Sequence, residues 1–356
     1  MYVNEINSLI KVMTKSELQQ LKTEVENLIE NEMIKERESF STIEVCPYCE
    51  SEHIKKNGKC SSRQRYYCNE CHKSFSETTN TFIFHSKVTE QQWISFIDYE
   101  IAKLPLREEA HFLDLSVTTC YFMRHKLYQA VEKLHLNEKL ENKTELDSAY
   151  FKINLKGTKR ENMPRYSKKR GNTAAYSGIS HHKICVVTAI DENDHMIMNI
   201  AGLGSESSEK YASMSSRFDD VDLIVSDSKP CIQQFSNLIE ARNDIIKVKP
   251  TYKNYKSEDG NTLGDVNELI ENYRTSSKIY HGVSTRYLQG YLNFYIYRKQ
   301  LLYKLKRKEA AAYVFNQVRG IITSSHDELQ ATLMPVSLAE AYYEYHYGIF
   351  AQQHLS

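Results

Sequence analysis

The sequence has no excess of either charge: 46 Lys and Arg are matched by 46 Asp and Glu over 356 residues. That balance excludes a uniformly basic nucleic-acid binder, so any contact with DNA has to come from local patches. Long hydrophobic runs are missing too. No stretch approaches the roughly eighteen apolar residues that a membrane-spanning helix needs. The opening MYVNEINSLIKVM lacks the layout of a signal peptide. The expectation is a cytoplasmic protein with no membrane contact. No internal repeat or low-complexity tract is evident, which sets repeat architectures aside. What is present, 41% hydrophobic and 26% charged residues, fits a globular protein rather than a disordered one. This length suggests two or three domains.

Apolar residues at helical spacing (Ile6, Ile10, Met13, Leu18, Leu21, Val25, Ile29) predict one or two amphipathic helices in residues 1–40, with Thr14 or Ser16 as caps at the break. Residues 41–88 hold a Cys-, Gly- and Lys-rich stretch of short strands and turns. Residues 89–136 turn helical, and NEKLENKTE (137–145) reads as a linker. Strand character then takes over. LDSAYFKINL, HKICVVTAID, HMIMNIAGLG, VDLIVSD and DIIKVKP read as five strands, with helical SEKYASMSSRF and CIQQFSNLIEA among them. Beyond residue 265 the period is helical, and residues 301–356 read as C-terminal helices.

Eight cysteines are present, four of them paired: Cys46 and Cys49 in CPYC, Cys68 and Cys71 in CNEC, with eighteen residues between the pairs. Four thiolates fill the tetrahedral shell of zinc and leave no open position. The expectation is a structural zinc ribbon whose metal folds a segment too small for a core. A redox C-x-x-C is the other reading, and two pairs at this spacing favour zinc. Cys60 reads as a spare thiol, and Cys120, Cys185 and Cys231 as core residues. Lys59, Arg63 and Arg65 interleave with Tyr66 and Tyr67, which suits phosphate contact and stacking as well as it suits a solvated hairpin.

Trp93, Phe96, Ile97 and Ile101 mark one helix. LREEAHFLDLSVTTCYFMRHKLYQAV then reads as helix, tight turn, helix. Ala110 and Leu113 pack inward, Leu115 sits in the turn, and Ser116 or Thr118 caps the second helix. That arrangement offers Thr118 and Thr119 to base edges, and Arg124, His125 and Lys126 to phosphates, from exposed faces. Helical hairpins are common in proteins that never touch DNA. The position directly after a ribbon is what favours a helix-turn-helix here.

Taken in order, CPYCESEHIKKNGKCSSRQRYYCNECHKSFSETTNT, LSVTTCYFMRHKLYQAV, LDSAYFKINLKG, PRYSKKRG, SGISHHKICVVTAID, LIVSD and HGVSTRYLQGYLNFY resemble the zinc-ribbon DDE transposases of bacterial insertion sequences. That group is related to the eukaryotic Merlin-type elements, and the resemblance spans roughly residues 46–296. It implies a multidomain chain of α+β and α/β character: a zinc ribbon (41–88), a helix-turn-helix module (89–136), and an RNase H-like DDE catalytic domain (145–300). The last is a mixed sheet flanked by helices, with a basic loop at 156–176. The implied activity is Mg²⁺- or Mn²⁺-dependent cleavage and strand transfer on double-stranded DNA, at the element's terminal repeats and its target. In the basic loop Lys168, Lys169 and Arg170 are placed to grip DNA by charge, although a solvated loop would look the same.

Two acids stand where this chemistry needs them. Asp147 opens the first strand of the αβ region, and Asp227 closes VDLIVSD, where a side chain projects from the sheet's end into a crevice. Side by side they hold one Mg²⁺, and two such ions about 3.5–4 Å apart stabilise the attacking and leaving oxygens of an in-line displacement. A strand-end aspartate alone is more often a turn or cap residue. The resemblance also implies a third ligand from a later helix, on a V-N-x-x-His pattern with Lys four residues after the His. Here VNELIENYR puts Ile270 at the His and Arg274, a DNA contact, at the Lys. Glu271, about 100° further around the helix, is the expected third ligand of the magnesium site, with Glu268 on the same face as the alternative. Ser148 replaces the acid that follows the first Asp, and GNTLGDVN lacks the histidine seen before that helix. The same sequence also reads as a decayed or domesticated transposase that only binds DNA. A zinc-ribbon component of a transcription or replication assembly is disfavoured by the long αβ domain. Tyr/Leu stripes in YLQGYLNFYIYRKQLLYKLKRK and LAEAYYEYHYGIF read as core or as the interface of a homo-oligomer.

Overall fold

A computed structural model of the chain describes residues 43–60, 63–84, 86–135, 138–157, 178–246, 256–257, 259–338 and 341–342, with Met13 and Glu17 besides. The helices expected in residues 1–40, nearly all of the basic loop and most of LAEAYYEYHYGIF lie outside them. The chain divides into two compact units, residues 1–94 with 311–322 and residues 95–310 with 323–356. The helical stretch expected as a module of its own at 89–136 therefore falls, from Ser95 onward, into one unit with the sheet that follows.

In the first unit β1 (Ile54–Cys60), β2 (Arg63–Cys68) and β3 (Ser74–Ser76) form an antiparallel meander. Its core is Cys46, Cys68 and Phe75, with Ile54, Tyr66 and Cys71 packed against it. So few apolar groups cannot offset the ordering entropy of such a segment, roughly 1–2 kcal/mol per residue. The sulfurs have to contribute. Further along, Phe82 packs edge-on against Trp93 at 4.7 Å and against Phe315 at 5.8 Å.

The chain continues through α1 (Glu90–Ala102), α2 (Leu106–Leu113), α3 (Val117–His135), β4 (Glu141–Lys152), β5 (Lys183–Asp191), β6 (Met196–Leu203), α4 (Ser208–Ala212), β7 (Asp220–Asp227), α5 (Pro230–Leu238) and β8 (Arg242–Ile246). The helices α6 (Gly264–Ser276), α7 (Leu288–Lys304), α8 (Arg307–Arg319) and α9 (His326–Gln330) follow. The sheet order is β6-β5-β4-β7-β8. The first three strands pair antiparallel, and β7 and β8 run parallel to β4. This mixed α/β architecture is consistent with the RNase H-like arrangement that the resemblance implies. β5 is buried from Ile184 to Asp191 without alternation, because helices cover both faces of the sheet. On one face Ala149, Val186 and Met198 meet Val266, Leu269, Ile270 and Tyr273 of α6 and Leu292 and Ile296 of α7. On the other, Leu146, Val187 and Ile224 meet Tyr211 of α4 and Ile232 and Phe235 of α5. Each fully buried aliphatic there contributes about 1.5–3 kcal/mol.

Of the stretch expected as a linker, the residues from Glu141 to Glu145 are instead the first half of β4. Glu141 to Glu145 pair with Asp220 to Val225 of β7, around an irregularity at Asn142. Its polarity hid it: only Thr144 of these five residues is fully buried. α3 packs on α7, where Tyr128 stacks on Phe294 at 4.4 Å. Among the described residues no helix is long and apolar enough to cross a membrane.

Candidate catalytic and metal-binding sites

The two C-x-x-C turns close in the same way. The Glu50 N–H donates to the Cys46 carbonyl at 2.8 Å, and the His72 N–H to the Cys68 carbonyl at 3.1 Å. Glu50 and His72, the residues after each second cysteine, take left-handed backbone with φ of 59° and 58°. Each turn thereby aims two sulfurs at one point. Cys46 and Cys71 Sγ lie 3.6 Å apart, as do Cys49 and Cys68 Sγ, and all four sulfurs fall within 4.8 Å of one another. A tetrahedron with zinc–sulfur bonds of about 2.3 Å has edges of about 3.8 Å, whereas a disulfide is about 2.05 Å long. The spacing suits a shared ion. The Cys71 N–H, with that of Glu70, brings the Cys68 thiol down to about 6 against the opposing effect of burial.

The carboxylates gather at the other end of the chemistry. Asp147 is not at the start of its strand but midway along β4, at the level where β7 ends. Glu145 pairs with Val225 in the parallel register, and Asp147 and Asp227 lie two residues further along each strand. The Lys229 ammonium ties the two acids together, 3.5 Å from Asp147 Oδ1 and 2.8 Å from Asp227 Oδ2. The same nitrogen lies 2.6 Å from Glu206 Oε1. Glu206 also accepts hydrogen bonds from Tyr150 Oη at 2.8 Å and from Tyr211 Oη. Burial pushes the Asp147 carboxyl above its usual range, Asp227 and Glu206 push the same way, and Lys229 opposes them. For Lys229 burial works against the charge, but the bonds to Asp227 and Glu206 outweigh it and raise its pKa. Asp227 Oδ1 is buried with no hydrogen-bond partner.

Lys229, Glu206 and the two tyrosines were not candidates from sequence. Lys229 had a signal, standing two residues after Asp227 and just before Pro230, where α5 begins. Glu206 sits in GSESSEK and had none.

Glu271 does not join this group. α6 turns Val266, Leu269, Ile270 and Tyr273 into the core, so a residue 100° beyond Ile270 points outward. The Glu271 side chain is 66% exposed and pairs with Arg274 at 2.5 Å. Glu268 is also exposed and accepts from Asn272 Nδ2. The N-terminus of α6 is tied to β4 two residues before Asp147. No side chain of its own caps it; instead Glu145 Oε2 accepts the N–H groups of Asp265 and Val266, each at 3.0 Å.

The helical hairpin forms with Asp114 in left-handed backbone (φ 53°) and with Ser116 as the cap, its Oγ accepting the Thr119 N–H at 3.0 Å. Thr118 is exposed and Thr119 half-buried. Arg124 is a correction to the expected DNA contacts. It is 4% exposed, and its guanidinium meets Glu100 at 2.5 Å and Glu109 at 3.1 Å beneath Tyr280. α3 is buried over consecutive positions from Met123 to His125, so an arginine there serves the interior. His125 is also buried, and Lys126 is half-buried with its pKa lowered by burial. On the ribbon Arg65 is exposed. The side chain of Arg63, with Lys168, Lys169 and Arg170, lies outside the described residues.

Residues 139–300 match the family model of the ISXO2-like transposase domain. An uncharacterized protein in transposable element ISH50 of Halobacterium salinarum is 29% identical over 121 residues, 34% of this chain and 40% of that protein. The match thus spans less than half the length of that relative. A crystal structure of a pre-cleavage Mos1 transpososome aligns over 64% of this chain and 79% of its own at 7% identity, with a TM-score of 0.16.

Proposed function

From the match of residues 139–300 to an insertion-sequence transposase domain, we propose that this protein is a DNA transposase that binds its element's terminal repeats and cuts and joins DNA at Asp147 and Asp227. The observation that carries the reading is the meeting of these two carboxylates at one ammonium, from adjacent parallel strands. Hard oxygen donors suit Mg²⁺ or Mn²⁺, and the unpartnered Asp227 Oδ1 is the kind of atom such an ion engages. Three carboxylates facing one ammonium leave negative charge for a cation to balance. A divalent ion held by Asp147 and Asp227 supplies Lewis-acid stabilisation of the reacting phosphate. The chain itself fixes the two carboxylates on a rigid sheet, and the Ser148 N–H orients Asp147 Oδ1 at 2.7 Å. Cys46, Cys49, Cys68 and Cys71 hold a structural zinc. Exposed Arg65 and Thr118 face DNA, and more than one subunit acts, since two element ends must be joined. A cytoplasmic location goes with that substrate.

The test is cleavage of a duplex carrying the inverted repeats that flank the gene, with Mg²⁺ or Mn²⁺. Cutting by the intact chain and none by Asp147→Ala supports the reading. Repeat binding without any divalent-dependent cutting selects a second one, a cleavage-defective relative that keeps its DNA-binding parts. The outward Glu271 paired with Arg274 is the observation that favours this second reading.

A further inference from the structure

Lys229 stands at the N-cap position of α5, where Pro230 at the first helical turn fixes the backbone behind it. Its ammonium lies 2.6, 2.8 and 3.5 Å from Glu206, Asp227 and Asp147. The three acids are not alike. The Glu206 side chain is only 2% exposed and is fastened by Tyr150 and Tyr211, with Tyr211 itself 3.1 Å from Ser148 Oγ. The Asp147 and Asp227 side chains are 22% and 27% exposed, and Lys229 is 34% exposed. Glu206 is therefore a closed anchor for the ammonium, and the aspartate pair is the side that solvent and ions reach.

The three acids meet at the ammonium rather than directly at one another. Among the described residues only the four cysteines bring three or more ligand atoms within 4.8 Å of one another. A nitrogen at hydrogen-bond distance spaces carboxylates more widely than a Mg²⁺ ion with bonds of about 2.0–2.1 Å does. An ion binding the aspartates has to take the place of the ammonium on them. Lys229 can give them up without being stranded, because Glu206 keeps its charge paired.

We propose that Lys229 is a positioning residue, a tethered counter-ion anchored on Glu206. It holds Asp147 and Asp227 together in the cation-free protein and yields them to a divalent cation. This rests on reading the aspartate pair as a cation site. It assigns to Glu206 the role of retaining the displaced ammonium rather than that of a third ligand.

The test compares the full chain with Lys229→Met and, as a control, Asp147→Asn. Thermal unfolding of the sheet unit is followed in divalent-free buffer without a strong chelator, so that tightly bound zinc stays, and then across a Mg²⁺ titration. Calorimetric binding of Mg²⁺ is the second readout. In divalent-free buffer Lys229→Met should melt lower than the parent by roughly 3 °C or more, since three carboxylates lose their counter-charge. Saturating Mg²⁺ should close that gap, and Lys229→Met should bind Mg²⁺ roughly threefold or more tightly, freed of its internal competitor. A deficit of equal size with and without Mg²⁺, or weaker Mg²⁺ binding, overturns the proposal by making Lys229 a plain structural ion pair. If Mg²⁺ shifts the parent and Asp147→Asn abolishes the shift, the cation site stands whatever the lysine does. If Mg²⁺ shifts neither the parent nor Lys229→Met, the cation site falls and the proposal with it. Should Lys229→Met not fold, Lys229→Gln, which keeps a donor but no charge, gives the same comparison.

Discussion

The cysteine cluster and the carboxylate cluster both gather side chains able to hold a metal, and they are built by opposite means. The sulfurs come from two short turns with the same hydrogen bond and the same left-handed residue, and they already stand 3.6 Å apart in pairs. The acids come from β4, the segment after β6 and the end of β7, and a lysine ammonium lies among them. A locally built site is closed by its own backbone, over a core of only a few apolar groups. A site built across a sheet inherits its rigidity from the core and has its negative charge balanced by a side chain, here Lys229. Each experiment below breaks one side of that contrast or tightens it.

The largest effect is expected at the ribbon. Freshly purified protein should carry one zinc per chain, and Cys68→Ala should lose it. Structural zinc contributes about 10–16 kcal/mol of apparent binding free energy in zinc-finger peptides, far more than the ribbon's small core can replace. The ribbon should then unfold while the sheet unit keeps its cooperative transition by calorimetry. Full zinc retention in Cys68→Ala would end the assignment. Loss of both transitions together would erase the contrast between the two regions.

Next in size is Arg124. Removing its guanidinium leaves Glu100 and Glu109 facing each other in the interior, and breaking a buried pair in this way costs about 3–5 kcal/mol. Glu109 is the more dispensable partner: burial, with Glu100 beside it, raises its pKa and so weakens the charge it sets against Arg124. Chemical denaturation should rank Arg124→Ala well below Glu109→Gln in stability. An Arg124→Ala protein that is fully stable yet weaker on DNA would restore the phosphate contact that the structure removes.

These two residue sets show what a sequence displays and what it hides. The cysteines were legible because their chemistry is local: the spacing is the geometry. Four strands were legible by their apolar runs, except the first half of β4, whose polar residues lie where the strand pairs with β7 and only Thr144 is fully buried, while of the expected DIIKVKP only Asp244 to Ile246 are described, as the end of β8. Asp147 and Asp227 stood out as strand acids, and Lys229 had a local signal beside Asp227, but Glu206, which anchors the ammonium, comes from tertiary packing that no spacing encodes. Glu271 was misplaced because the rotation of α6 is set by the burial of Ile270, not by the position of an acid in the sequence. Arg124 was misplaced for a similar reason. A helix read as a DNA-facing element is buried over Met123, Arg124 and His125.

Acid should separate the two regions further. Burial, reinforced by the Arg124 charge, lowers the His125 pKa to about 3. The folded unit keeps this imidazole neutral while the unfolded chain takes up a proton near pH 6.5. The stability tied to this group is therefore complete above pH 6.5 and is lost as pH falls toward 3, by about 2 kcal/mol at pH 5. Glu109 slopes the opposite way, so the measurement is the difference between the parent and His125→Phe at each pH. That difference should shrink by about 2 kcal/mol between pH 7 and pH 5, and a flat difference would show that His125 is protonated in place.

The smallest expected effect tests how the carboxylate region borrows its order from the sheet. α6 starts at Gly264 without a cap from its own side chains, and Glu145 supplies one from β4, two residues before Asp147. A carboxylate on the first amides of a helix satisfies donors that otherwise lack partners and meets the positive end of the helix dipole. Glu145→Gln keeps one acceptor oxygen and loses the charge, so a cost of about 0.5–1 kcal/mol is expected. Hydrogen exchange should speed up at the Asp265 and Val266 amides and remain unchanged in β5, whose protection comes from burial on both faces. Unchanged exchange at those two amides would mean that α6 is placed by Val266, Leu269, Ile270 and Tyr273 alone. Faster exchange there, together with weaker Mg²⁺ binding at the aspartates, would make the strand-to-helix cap part of the machinery that holds Asp147 in position.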